Sequence, residues 1–176
     1  MRALADRERI GRFMRALGRS ADRDGTCYLT GGATAVLHGW RASTIDVDVL
    51  LVPESDALLR AIRDLKDELR INVELASPLD FIPVVPGWEE RSVSIRREGR
   101  LRFAHFDLVS QALAKAERAH AQDLEDIAAM VDLGLVDPRA VRAAFQQIEP
   151  ELYRFPAIDP PAFRRRVESL FPDASS

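Results

Sequence analysis

The sequence predicts an α+β protein, an α/β two-layer in which helices pack on a small sheet and the C-terminal part is helical. Three observations carry that expectation. Residues 44–49 (TIDVDV) and 71–75 (INVEL) alternate between apolar and polar side chains, the two-residue period of half-buried strands. Ile10, Phe13, Met14 and Leu17, and again Leu58, Ile62 and Leu65, recur at helical spacing. Beyond residue 107 the pattern is almost wholly helical. With 176 residues, 47% of them hydrophobic and 30% charged, the chain is large enough for a real core and too apolar to be disordered. Residues 1–107 are therefore expected to form the core, with 108–176 a helical region packed on it as one structural domain.

Taken in order, residues 4–19 should form an amphipathic helix and residues 27–30 a short strand. Gly31-Gly32 then turns the chain into a helix over 33–38, which Gly39 closes. In the strand at 44–49, Ile45, Val47 and Val49 should point one way and Asp46 and Asp48 the other. Pro53 ends that strand, and a helix is expected over 55–67. The strand at 71–75 presents Asn72 and Glu74 on its polar face. Residues 76–90 hold three prolines and should form an ordered loop anchored by Phe81, Ile82 and Trp88. Residues 93–95 and 101–106 read as a hairpin around Glu98-Gly99. Helices follow at 108–119 and 121–133, and Asp137-Pro138 supplies a cap and first-turn pair for another. A proline-rich crossing at 149–161 leads to a last helix ending at Phe171.

Composition excludes several classes. No run approaches the roughly 20 apolar residues that span a bilayer, and the arginine-rich start lacks a signal peptide's apolar core, so the expected location is cytoplasmic. The single cysteine, Cys27, is expected to be structural, at the start of a buried strand. A net charge of -3 advertises no global attraction to nucleic acid, and the arginine clusters at 91–102 and 164–166 are expected to be solvated surface.

One segment concentrates chemistry. Gly31-Gly32 lies at a strand-to-helix turn, and Asp46 follows Gly32 by fourteen residues, paired with Asp48 on one strand face. Glycines let the backbone approach phosphate oxygens, and free N–H groups follow them at the helix start. Two carboxylates on one strand face are hard ligands for magnesium, which binds through one or two carboxylates plus substrate phosphates. Two acids in an apolar strand need compensation, by a cation or by arginine, with Arg41 the candidate partner.

The string LTGGATAVLHGWRASTIDVDVLL resembles the signature of the DNA polymerase β type nucleotidyltransferase superfamily, most closely its compact bacterial branch of abortive-infection and toxin-antitoxin nucleotidyltransferases. NVELASPLDFIP and QALAKAERAHAQDLEDIAAM extend the likeness over most of residues 28–135. The resemblance implies a nucleotidyltransferase fold, a small mixed sheet with helices packed on it. It implies transfer of a nucleoside monophosphate from a nucleoside triphosphate to an acceptor hydroxyl, with Mg2+ or Mn2+ as cofactor and two metals in the reacting site. Asp46, Asp48 and Glu74 would be the catalytic and metal-binding acids. Gly31, Gly32, Thr34 and Arg41 would bind the nucleotide, and Lys115 and Asp123 would line its site. Where many members have Gly-Ser, Gly32 removes a phosphate-binding hydroxyl, which Thr34 could replace. Asp80 and Asp107 are rival third acids. The acceptor implied is RNA or tRNA in a toxin-like activity, the alternatives being a cognate toxin or antitoxin protein, or a scaffold that binds nucleotide without catalysis. His38, His105 and His120 have no expected part in magnesium chemistry, and Trp40 and Trp88 are expected to pack rather than stack on a base.

Overall fold

In the computed structural model, which describes residues 2–174, Asp6 starts the first helix. Its carboxylate accepts a hydrogen bond from the Arg9 backbone N–H at 2.9 Å, so a two-residue strand β1 (Ala5–Asp6) precedes α1 (Arg7–Ser20). The helix therefore begins later than periodicity alone suggests, and it buries Ile10, Phe13, Met14 and Leu17 as the spacing predicts. Strand β2 (Gly25–Thr30) runs into Gly31, and α2 (Gly32–His38) stops at Gly39, whose φ of 93° suits a residue without a side chain.

The expected strand at 44–49 is broken. Strand β3 (Ser43–Thr44) pairs with β1, the chain bends at Ile45, and β4 (Asp46–Val52) then joins the main sheet. Ile45 is 70% exposed instead of sharing the buried face of Val47 and Val49, because it sits where the chain leaves one sheet for the other. Ser55 caps α3 (Asp56–Glu68) by accepting from the Leu58 N–H at 3.2 Å, and the chain returns as β5 (Asn72–Leu75). Strands β6 (Val93–Glu98) and β7 (Leu101–His105) form the expected hairpin.

The five-stranded sheet has the order β5-β4-β2-β7-β6 and is mixed, as expected. Strand β4 lies antiparallel to β2 and parallel to β5, while β2 lies parallel to β7. Register puts Cys27, Leu29, Val47, Val49, Val73 and Phe103 on one face, where they pack with α1 and α3. Each such side chain removed from water contributes about 1.5–3 kcal/mol before ordering costs, which is what commits that face to the core. Cys27 belongs to it, fully buried with its thiol pushed up by desolvation, a packing residue as expected. The opposite face carries Asp46, Asp48, Asn72 and Glu74.

The chain divides into two compact units. The sheet unit comprises the residues up to Ser77 together with Val93–Phe106; the helical unit comprises Pro78–Ser92 and the residues from Asp107 onward. The proline-rich segment thus belongs with the helices. It contains a 3-10 turn (Pro78–Asp80) and the short α4 (Trp88–Arg91). Of its three expected anchors only Ile82 is fully buried; Phe81 is 36% exposed beneath the Arg118 guanidinium, and Trp88 is half-buried. Helices α5 (Leu108–Arg118), α6 (Ala121–Asp132), α7 (Pro138–Ile148) and α8 (Pro160–Leu170) follow, with a 3-10 turn (Glu149–Arg154) after α7. Asp137 and Asp159 cap α7 and α8. No helix among the described residues is long and apolar enough to cross a membrane.

Most of the arginines in both clusters lie at the surface, as expected, and pair there. Arg97 and Arg100 meet Asp24, Arg164 grips Glu149 through two nitrogens, and Arg166 donates to the Ala116 and Glu117 carbonyls at the end of α5.

Candidate active site

The acids owe their position to the pairing of β4 on both sides. Asp48 lies opposite Thr30, the residue before the glycine turn, on β2 and opposite Glu74 on β5, while Asp46 lies opposite Asn72. Alternation sends Val47, Val49 and Leu51 into the core, so Asp46 and Asp48 stand half-buried on the other face and Glu74 is exposed on the edge strand. The Asn72 amide nitrogen joins two of them, donating to Asp46 Oδ1 at 2.5 Å and to Glu74 Oε1 at 3.0 Å. Like charges on neighbouring strands repel, and a shared donor offsets that repulsion.

The glycine turn meets the third acid. Gly31 has φ 61° and ψ -129°, a conformation open to a residue without Cβ, and a side chain there would come within 2.9 Å of Asp48 Oδ2. Gly32 is needed for another reason, because a methyl group on it would collide with the Thr44 side chain and lie 3.2 Å from Arg41 Nη1. Its absence lets the first turn of α2 close onto Thr44, two residues before Asp46, with the Arg41 guanidinium beside it.

The donor set fits a hard cation, since all three acids offer oxygen. It does not form the closed three-acid site expected from the sequence. Among the described residues no three acidic, histidine or cysteine side chains surround a common point that could hold an ion, and Asn72 stands between Asp46 and Glu74. A magnesium ion is commonly held by one or two carboxylates completed by phosphate oxygens, a smaller donor set than three acids.

Thr34 is placed otherwise than expected. It is fully buried on the inner side of α2, where its hydroxyl donates to the Leu29 carbonyl at 3.3 Å and meets His105 Nδ1 at 3.1 Å, so it does not replace a phosphate-binding serine. His105 lies on the core face of the sheet opposite Leu29, and burial, aided by His38, holds its imidazole down at about 4. His38 stacks between Trp40 and His105, is lowered by desolvation and then by the Arg7 charge, and leaves its Nε2 buried without a partner. These histidines pack.

Within the helical unit, Lys115 and Asp123 do come together, in a buried network. Lys115 Nζ lies 2.7 Å from Asp126 Oδ2 and 3.7 Å from Asp123 Oδ1, and Arg118 Nη2 donates to Asp123 at 2.8 Å. Asp126 escaped the sequence reading, although it follows Asp123 by three residues on one helix face. Asn72 also went unassigned, although its place two residues before Glu74 on a polar strand face was visible. The rival acids are accounted for differently. Asp107 is buried, caps α5 through the Val109 and Ser110 N–H groups, and pairs with Arg91 through two nitrogens, so it is structural. Asp80 is exposed on the 3-10 turn of the helical unit.

A mixed sheet that sets two same-face aspartates of one strand beside a Gly-Gly strand-to-helix turn is the arrangement that the resemblance to nucleotidyltransferases implies. The chain belongs to the family described as nucleotidyltransferase of unknown function (DUF6036), which matches residues 8–155. That span includes Asp46, Asp48, Glu74, Lys115 and Asp123. No curated protein and no solved structure matches the chain.

Proposed function

We propose that the protein moves a nucleoside monophosphate from a nucleoside triphosphate to an acceptor hydroxyl on RNA or tRNA, with Mg2+ or Mn2+ as cofactor. The observation that carries this reading is the register of β4, which sets Asp48 level with Thr30 at the glycine turn on one side and with Glu74 on the other. The acceptor oxygen forms a bond to the α-phosphorus, the bond between that phosphorus and the α–β bridging oxygen breaks, and pyrophosphate leaves. A cation supplies charge neutralisation for the phosphates. Asp46 and Asp48 are the residues that would hold it. The Gly31 backbone admits phosphate oxygens close to Asp48, the Arg41 guanidinium offsets triphosphate charge beside Gly32, and the exposed Glu74 carboxylate accepts the proton of the acceptor hydroxyl.

The test is incubation with magnesium, α-labelled nucleoside triphosphates and total RNA. Label should enter RNA, and Asp46→Asn or Asp48→Asn should cut the rate by about a hundredfold or more, as expected when a group that stabilises developing charge is removed. Label in protein alone would overturn the RNA acceptor. No label anywhere, together with no metal-dependent triphosphate binding, would overturn the enzymatic reading in favour of a scaffold.

A further inference from the structure

Asn72 is an uncharged side chain set among acids of the polar sheet face, and its hydrogen bonds leave only one way for its amide to face. Arg2 Nη1 donates to Asn72 Oδ1 at 2.8 Å, while the amide nitrogen donates to Asp46 at 2.5 Å and Glu74 at 3.0 Å. A guanidinium can only donate and an ionised carboxylate can only accept. Reversing the amide would set N–H against N–H on one side and oxygen against carboxylate oxygen on two others. Arg2 is itself held in place, for its Nη2 lies 3.7 Å from Asp67 and the next residue, Ala3, donates its N–H to the Arg70 carbonyl at 2.6 Å. A chain of contacts thus runs from Asp67 in the last turn of α3 through Arg2 to Asn72 and ends on two acids of the candidate site.

We infer that Asn72 is a positioning residue for metal binding: oriented by Arg2, it holds the Asp46 carboxylate where a divalent cation would meet it and fixes Glu74, the proton acceptor, beside it. This rests on the proposed metal-dependent transfer and adds to it two residues that the sequence reading did not assign. The physical basis is that two neighbouring carboxylates without a cation separate by repulsion and rotamer freedom, and a neutral donor shared between them removes both tendencies. Groups that hydrogen-bond to metal-binding side chains commonly set affinity within one to two powers of ten.

The experiment is titration of the full chain with Mn2+ alone, followed by calorimetry and by loss of the free-ion electron spin resonance signal. Wild type should bind Mn2+ in a way that Asp46→Ala abolishes. Asn72→Ala should weaken that binding about 10- to 100-fold while its melting temperature stays near that of wild type. Arg2→Met, a change at a side chain 43% exposed, should weaken it in the same direction by a smaller factor, and it serves as the test should Asn72→Ala not fold. If Asn72→Ala or, in its place, Arg2→Met binds Mn2+ as tightly as wild type or tighter, while Asp46→Ala still abolishes binding, the positioning role is refuted and the proposed function stands. If wild type binds no Mn2+, or binds it regardless of Asp46, the metal-dependent reading fails first.

Discussion

Lys115 offers the largest effect that can be worked from the structure. Lys115 is 4% exposed, and its ammonium lies between Asp126, which is 0% exposed, and Asp123, which is 5% exposed. Together with Arg118 the network holds two positive and two negative charges, so Lys115→Met leaves a net buried negative charge. Breaking a buried ion pair from one side costs about 3–5 kcal/mol, most of it from the stranded partner. For a chain of this size each kcal/mol moves the melting temperature by about 2–4 °C, so a drop of about 6–20 °C is expected. The companion variant Lys115→Met/Asp126→Leu removes both partners and leaves Asp123 with Arg118. It should recover most of the loss, since apolar replacement of a buried pair is often neutral or stabilising. Calorimetric melting of the two variants checks both steps. A single variant that melts within about 2 °C of wild type, or a double variant no better than the single, would refute the ion-network argument. Triphosphate binding by the double variant adds a separate result: loss of binding in a protein that melts normally assigns the Lys115–Asp126 pair to the nucleotide.

Gly32→Ala should destabilise by about 1–3 kcal/mol through overpacking against Thr44, and Thr44→Ala in the same chain should return part of it in urea unfolding. Gly31→Ala should cost about 1–3 kcal/mol through its positive φ, and should lower triphosphate affinity because the added methyl group crowds Asp48. His105 sets a pH dependence. Its folded value of about 4 lies below the ordinary 6.5, so the unfolded chain binds the proton first. The stability due to the neutral ring is therefore fully present above about pH 6.5 and is lost as pH falls toward 4, about 3 kcal/mol in total. His105→Phe should flatten that part of the profile, read as the difference between wild type and variant in urea midpoints at pH 7 and pH 4.5.

The fold was legible wherever a local rule had no competitor. The two-residue alternation of Val47 and Val49 against Asp46 and Asp48 survives in β4, and the Asp137-Pro138 pair starts α7 where capping chemistry puts it. Ile45 obeyed the same alternation on paper but lies exposed, since the pairing of β3 with β1 draws the chain away from the main sheet just before β4. Thr34 had the right hydroxyl in the right neighbourhood, yet the rotation of α2 turns it inward to Leu29 and His105. Asp107 could not be separated from the site acids by its residue type; its place at the start of α5 beside Arg91 settles its role.

The amino-acid sequence by itself determined the class of fold, the strand bearing Asp46 and Asp48, and the glycine turn, because side-chain period, capping and backbone freedom act between residues a few positions apart. The tertiary structure alone decided which groups share a hydrogen bond: Asn72 between Asp46 and Glu74, Lys115 between Asp123 and Asp126, Gly32 against Thr44. All but the Asn72–Glu74 contact join residues on different elements, and even pairs eight to twelve positions apart, Lys115 with Asp123 and Asp126 and Gly32 with Thr44, depend on how those elements pack, which burial of the whole core sets.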